Sequence, residues 1–143
     1  MKDIDVINTN EDEPTFENTI VPLEKSGEEL DRVFTYYGIW SANMSSPEFR
    51  EIQAEMAPVL SEFNSKISQN TALFERVKSV YDNSLVNPLD ADQQRVVQLT
   101  YEGFAMNGAN LDDEKKKRYA AISKELSSLY TKFANNVLDD EEK

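Results

Sequence analysis

The stretch PTFENTIVPLEKSGEELDRV, residues 14–33, begins like a capped helix but holds a proline and a glycine within its apolar pattern. Thr15 is a good N-cap, because its side chain can accept a hydrogen bond from a free backbone N–H of the first turn. Pro22 lies further along, where a proline ring bends or breaks a helix. Gly27 falls at a place on the apolar face where an apolar side chain is expected. The stretch therefore predicts a helix that bends or breaks near residues 22–28.

The composition is that of an acidic chain of ordinary domain size. The 143 residues are 39% hydrophobic, which is enough to form a buried core. The 27 acidic residues outnumber the 15 basic ones and give a formal charge of −12. Phosphate backbones and anionic lipids repel such a charge, so nucleic acid and a membrane surface are poor candidate partners. No apolar run approaches the roughly 20 residues of a membrane span, so no span is expected. The start, MKDIDVINTN, lacks the apolar core of a signal peptide.

Apolar residues recur every three or four positions along nearly the whole chain, and no stretch alternates as a strand would. The sequence therefore predicts an all-α fold, an antiparallel helical bundle of about five helices, some long and kinked. We expect a single helical domain over residues 1–143, with helical segments at 14–45, 46–69, 70–83, 90–107 and 112–138. Residues 1–13 are expected to be a truncated or disordered N-terminal end, and the final DDEEK a solvated tail.

The last helical segment carries a narrow apolar seam with steps of three and four. Its members are Tyr119, Ile122, Leu126, Leu129, Phe133 and Val137. This spacing is typical of coiled-coil-style packing, so the seam predicts contact with a neighbouring helix.

The aromatic run FTYYGIW, residues 34–40, is apolar on more than one side. Phe34, Tyr37 and Trp40 can share the buried face of a helix. This arrangement leaves Tyr36 and Ile39 pointing elsewhere. A helix of this kind either packs on two sides within the chain or exposes a surface for a partner.

The residue types exclude most catalytic chemistry. The chain has no His and no Cys, so it can form neither a Ser–His or Cys–His nucleophile nor a zinc site of the usual kind. Its carboxylates lie mostly off the apolar stripes, where a solvated face explains them better than a catalytic pair. The segment LDADQQRVVQLTY is no EF-hand, because Arg95 and Tyr101 stand where that calcium loop needs Gly and Glu. The sequence predicts no catalytic, cofactor-binding or metal-binding residue.

Several phrases of the sequence, in colinear order, carry a family resemblance. They are PTFENTIVPLEKSGEELDRV (14–33), SANMSSPEFREIQAEMAPVLSEF (41–63), NTALFERVKSVYD (70–82) and LDADQQRVVQLTYEGFAMNGANLDDEKKKRYAAISKELSSLYTKFANNVLDD (89–140). Together they resemble the N-terminal helical region of the M3 family of zinc metallopeptidases, over about residues 12–140. That family contains the peptidyl-dipeptidases (dipeptidyl carboxypeptidases), oligopeptidase A and thimet oligopeptidase. The phrases SGEELDRV and NTALFERVK favour the bacterial peptidyl-dipeptidase branch over oligopeptidase A.

The resemblance implies a parent enzyme in which an HExxH helix and a downstream glutamate bind zinc, and the motif glutamate activates a metal-bound water. Those elements lie far toward the C-terminus of the family's chains, and this sequence has no His. We therefore expect a fragment of a longer peptidase, itself without metal, whose partners are the missing C-terminal catalytic domain and an oligopeptide substrate. In the family the N-terminal helices form one wall of a deep channel for oligopeptides, which implies a channel-wall role here.

A second function stays open, that of a stand-alone acidic helical protein-interaction module whose exposed aromatic face binds a partner helix. An HExxH motif encoded downstream of Lys143 favours the peptidase, and a stop codon there favours the module. The compartment is left open between the cytoplasm and the periplasm of a bacterium.

Overall fold

The computed structural model describes residues 1–141, and within them the chain is helical without any strand. The all-α fold that the periodicity predicts is thus confirmed. The elements are α1 (Lys2–Asn8), a π-helical turn (Phe16–Ile20), α2 (Val21–Lys25), α3 (Glu28–Asn43), α4 (Pro47–Ser68), α5 (Thr71–Val86), α6 (Ala91–Met106) and α7 (Asp113–Glu141). The tail predicted for residues 139–143 is helical and exposed as far as Glu141, and its last two residues lie outside the described ones.

The stretch 14–33 folds as its residue chemistry requires. Thr15 accepts a hydrogen bond from the backbone N–H of Asn18 at 3.2 Å, and the Asn18 side chain accepts one from the Thr15 N–H at 2.8 Å. This reciprocal cap starts the π-helical turn. Pro22 is tolerated in the first turn of α2, where its missing N–H has no helical partner to lose. The break falls at Gly27, whose φ of 93° is left-handed, so the predicted interruption near residues 22–28 is confirmed.

The other helix ends also follow local side-chain chemistry. Four polar side chains accept a hydrogen bond from the backbone N–H three residues ahead, and each begins a helix: Ser46, Asn70, Asp90 and Asp112. At the far end of α6, Gly108 takes a φ of 84°, the left-handed conformation that commonly terminates a helix. The four starts are the first residues of the helical segments that the sequence predicts, and Gly108 directly follows the predicted segment 90–107.

The N-terminal segment is not disordered over residues 2–8, and the alternative of a truncated end stays a prediction. Residues 2–8 form α1, in which Ile4 and Ile7 are almost fully buried. Both isoleucines belong to one apolar cluster with the buried Leu73 of α5. Burial of two large aliphatic side chains supplies the driving force that orders this short helix.

Two helices extend further than the sequence-based boundaries. The helix α5 continues to Val86 instead of ending at residue 83, because the Asn83 carbonyl still accepts a hydrogen bond from the N–H of Asn87 at 2.8 Å. The helix α7 continues to Glu141, beyond its predicted end at residue 138. The helix α4 runs through Pro58 and ends at Ser68, within its predicted segment.

The chain consists of two structural units, and unit 1 holds the apolar core. Unit 1 comprises Met1–Gly27 and Ser65–Lys116. Within it, α5 packs against α6, α1 and the π-helical turn. Its buried apolar residues are Ile4, Ile7, Ile20, Leu73, Phe74, Val77, Val80, Val97 and Ala109. The ring of Tyr101 stacks on that of Tyr81 with centroids 4.3 Å apart, which joins α5 to α6.

Unit 2 comprises Glu28–Asn64 and the residues from Lys117 onward, and so contains α3, most of α4 and most of α7. None of its described apolar side chains is buried. The buried residue among its described ones is Arg50, a charged residue that is 8% exposed. The single helical domain expected from the sequence stays a prediction.

Candidate interaction surface

Within unit 2, α7 meets α4 through small polar side chains. The Ser127 hydroxyl donates a hydrogen bond to the Ala57 carbonyl at 2.8 Å, and the Asn135 amide donates one to the Arg50 carbonyl at 3.5 Å. Later residues of α7 thus face earlier residues of α4, so the two helices run antiparallel. The half-buried row on α7 is spaced by four residues and consists of Ser123, Ser127, Thr131 and Asn135.

Ion pairs also join these helices. Arg50 donates from Nη1 to a carboxylate oxygen of Asp139 at 2.5 Å, and Lys124 lies 3.5 Å from Glu62. The first pair has a buried guanidinium, whereas both members of the second are about half exposed. An exposed pair contributes little, so Arg50 is the charge that matters for the α4–α7 contact.

The apolar seam of α7 lies outside that contact. Its residues Ile122, Leu126, Leu129, Phe133 and Val137 are between 40% and 69% exposed, and we call them the α7 stripe. At about 100° per residue, the stripe lies roughly a third of a turn around the helix from the polar row that faces α4. The prediction that the seam packs against a neighbouring helix is therefore wrong within the described residues. Only Tyr119, at the start of the predicted seam, is half-buried.

The aromatic run of α3 is divided between packing and exposure. The ring centroid of Tyr37 lies 6.1 Å from that of Phe34 and 5.4 Å from that of Phe49 on α4. Partial burial raises the pKa of the Tyr37 phenol above its ordinary value. Phe34 and Tyr37 thus pack as predicted, but Trp40 is 46% exposed instead of sharing their face. Tyr36 is exposed as well.

Every helix of unit 2 exposes large apolar side chains, not only α7. On α3 and α4 they are Val33, Tyr36, Ile39, Trp40, Ile52, Met56 and Val59. Rows of exposed apolar side chains mark surfaces that another molecule or another part of the protein covers. The one sequence signal for this arrangement is the row of Ser, Thr and Asn on α7, because small polar residues let two helices approach and leave the apolar stripe free.

The described residues offer an exposed apolar surface and no group of metal ligands. Within residues 1–141 no three carboxylates lie close enough to hold a metal ion. The sequence places no catalytic, cofactor-binding or metal-binding residue here. In the same part of the chain, no helix is both long and apolar enough to cross a bilayer.

Comparison with known proteins assigns the chain to a family. The family model of the neurolysin/thimet oligopeptidase N-terminal domain matches residues 2–116. The chain belongs to this family. The match confirms the resemblance to the N-terminal region of the M3 peptidases. It ends within the first turns of α7, so the whole α7 stripe lies beyond the matched residues.

The relatives of this N-terminal domain are peptidases much longer than the chain. Oligopeptidase A of Escherichia coli (strain K12) is 31% identical over 125 residues, which are 87% of this chain and 18% of the relative. Dipeptidyl carboxypeptidase of the same organism is 29% identical over 136 residues, 95% of this chain and 20% of the relative. Mitochondrial intermediate peptidase of Pongo abelii is 26% identical over 84% of this chain and 17% of its own length. The chain thus spans about a fifth of the length of these relatives.

The identities do not separate the two bacterial branches. The chain is 31% identical to an oligopeptidase A and 29% identical to a dipeptidyl carboxypeptidase. This difference in identity is too small to choose between the two branches. The preference for the peptidyl-dipeptidase branch stays a prediction.

Proposed function

We propose that this N-terminal helical domain belongs to a zinc-dependent oligopeptidase of the peptidyl-dipeptidase type and forms part of the wall of its substrate channel. Peptide hydrolysis is then carried by a C-terminal zincin domain that is not among these 143 residues. Two observations support the proposal: the family match over residues 2–116, and relatives whose names are oligopeptidase A and dipeptidyl carboxypeptidase.

The observation that carries the proposal is the lack of buried apolar side chains in the described part of unit 2. Helices of a water-soluble protein are held mainly by burial of an apolar face. In unit 2 the apolar rows are exposed, and the contact between α4 and α7 is polar. The proposed catalytic domain supplies the missing apolar cover, above all for the α7 stripe.

The residues of this chain do not fit a zinc site. The chain has no imidazole and no thiolate, and its described carboxylates form no group of three that could hold a metal. Its part in the proposed enzyme is therefore selection of peptides by shape and charge. A formal charge of −12 attracts basic peptides and repels acidic ones at the channel.

The same surface supports a second candidate, the stand-alone helical interaction module. Exposed Tyr36 and Trp40 on α3 are the side chains that most favour it, because aromatic residues are enriched in protein interfaces. In this alternative the apolar rows of unit 2 receive a helix of another protein.

The coding sequence after Lys143 separates the two functions. The peptidase proposal expects an open frame that encodes an HExxH motif. The longer protein should then bind one zinc per chain and release dipeptides from the C-terminus of oligopeptides, whereas the 143-residue chain should do neither. A stop codon, or a longer protein without zinc-dependent activity, contradicts the proposal and leaves the interaction module.

A variant of the longer protein tests the role of the α7 stripe. Leu129→Glu together with Phe133→Glu should lower peptidase activity, because two carboxylates cannot be covered by an apolar surface. The matched control places Glu at Ala121 and Ser128, two exposed positions of the same helix that lie outside the stripe, so both double variants add two negative charges. Equal activity of the two double variants contradicts an interface at the stripe.

A further inference from the structure

A cavity of about 340 Å³ lies in unit 1, between the segment Glu13–Glu17 and the C-terminal half of α5. Its floor is apolar and is formed by Phe16, Val80 and Leu89, which belong to the edge of the main core cluster. A volume of this size falls at the lower end of the range for small-molecule sites, so it holds a single side chain or a small ligand.

The rim of the cavity carries polar groups that the protein leaves unpaired. Two carboxylates, those of Glu13 and Glu17, and two carboxamides, those of Asn83 and Asn87, lie on it. All four side chains are exposed at the mouth, and within residues 1–141 none of them has a hydrogen-bond or ion-pair partner. No basic residue lines the cavity. The site thus combines an apolar floor with a rim of negative charge.

The wall that carries the two carboxylates is fixed from behind by Arg76. This arginine is 9% exposed, and its Nη1 donates to the carbonyl oxygens of Asn10 at 2.7 Å and Asp12 at 3.2 Å. Its Nη2 donates to the side-chain oxygen of Asn18 at 3.1 Å, and the Asn18 amide donates to the Glu13 carbonyl at 2.8 Å. A buried arginine therefore holds both ends of the segment, so the cavity is formed before any ligand arrives. Preorganisation lowers the entropic cost of binding.

We propose that this cavity is a binding site for the basic side chain of a peptide. The aliphatic stem of the side chain lies against the apolar floor, and the cationic head group donates hydrogen bonds to the carboxylates of Glu13 and Glu17. A guanidinium suits the rim best, because it offers five donors and the carboxamide oxygens of Asn83 and Asn87 can accept those left over. A free diamine offers a similar head group and stem, so the test includes one. The proposal goes beyond the channel-wall role, and its test needs neither zinc nor peptidase activity.

The test is a titration of the 143-residue chain, followed by backbone amide chemical shifts, with an acetylated and amidated Ala-Arg-Ala tripeptide. Its matched probe replaces the arginine by citrulline, which has the same shape without the charge. The arginine peptide should shift the amides of residues 13–17 and 80–89 and bind at least about ten-fold more tightly than the citrulline peptide, since only the former makes charge-assisted hydrogen bonds. Salt should weaken the binding.

The matched variants have the same net charge. Glu13→Gln with Glu17→Gln removes the acidic rim, and Glu11→Gln with Glu24→Gln removes two exposed carboxylates outside the cavity, so both change the formal charge from −12 to −10. The first pair of substitutions should lower the affinity for the arginine peptide about ten-fold or more, and the second pair should leave that affinity unchanged. Equal affinity for the two peptides, an equal effect of the two variants, or shifts elsewhere in the chain would overturn the proposal. So would cadaverine binding at these residues more tightly than the peptide, because the ligand is then a free diamine.

Discussion

The hydroxyl of Ser127 on α7 donates a hydrogen bond to the backbone carbonyl of Ala57 on α4, at 2.8 Å. A serine side chain is short, so this bond requires the two helices to approach closely along that line. It fixes which face of α7 meets α4, and it turns the α7 stripe away from the contact. The exposed stripe therefore goes together with polar packing between α4 and α7.

Substitution of two glycines by alanine should have opposite effects. Gly27 has a φ of 93°, so Gly27→Ala should lower the free energy of unfolding by about 1 kcal/mol. Gly38 lies within α3, and a Cβ there meets no atom within 4 Å. Gly38→Ala should therefore raise the free energy of unfolding by about 0.5–1 kcal/mol. Urea denaturation measures both, and effects of the same sign contradict the left-handed break before α3.

Loss of the buried guanidinium of Arg76 should destabilise unit 1. Arg76→Met keeps the volume of the side chain but leaves the carbonyls of Asn10 and Asp12 without their donor, which should cost about 2 kcal/mol or more. The control is Arg95→Met, because Arg95 is exposed and its guanidinium donates to Gln98 on the same helix. That control should stay within about 0.5 kcal/mol of the wild-type chain. Equal losses of unfolding free energy for the two variants in urea denaturation would contradict the role of Arg76 in fixing the cavity wall.

The start of α7 should respond to acid. The carboxylate of Asp112 accepts hydrogen bonds from the Lys115 backbone N–H at 2.9 Å and from its ammonium at 2.6 Å, and these bonds hold the pKa of Asp112 below its ordinary value. A lowered folded-state pKa means that the stabilisation is complete above the unfolded pKa and is lost as the pH falls through the folded one. The pKa of Lys115 is raised by the same hydrogen bond with Asp112. The stabilisation that Lys115 contributes is therefore complete below its unfolded pKa and is lost as the pH rises through its folded pKa.

The variant Asp112→Asn isolates the acid-dependent part of this stabilisation. Its side chain still accepts the backbone hydrogen bond but does not titrate. The free energy of unfolding, measured as a function of pH, should therefore fall less steeply at acid pH for the variant than for the wild-type chain. Identical acid slopes mean that the Asp112 carboxylate is not stabilised in the folded chain.

The helix ends were predictable from sequence because their chemistry is local. Thr15 and Asp90 each accept a hydrogen bond from a backbone N–H three residues ahead, and Gly108 ends α6 through its own left-handed φ. The residues that determine these ends are therefore neighbours in the sequence. The same holds for the break at Gly27. The order of α1 is different, because Ile4 and Ile7 are held by Leu73, which lies far along the chain.

The face of α7 that is exposed and the cavity in unit 1 were not predictable, for a physical reason. Periodicity tells which residues share a face of α7 but not which face meets α4, and apolar residues are normally expected inside. In unit 2 the polar row around Ser127 faces α4, where apolar residues are expected. The cavity, in turn, needs the segment of Glu13 and the end of α5 near Asn83 to meet, and tertiary packing alone brings these together.

The α7 stripe is uncovered in the 143-residue chain. The direct test is the free energy of unfolding in urea of Phe133→Ala, compared with Phe74→Ala. Phe74 is 5% exposed in the core of unit 1, so its truncation should cost about 3–5 kcal/mol. Phe133 is 69% exposed, so its truncation should change the free energy of unfolding by no more than about 0.5 kcal/mol. A loss of about 3 kcal/mol or more for Phe133→Ala would show that the stripe is packed within this chain, and would contradict the claim.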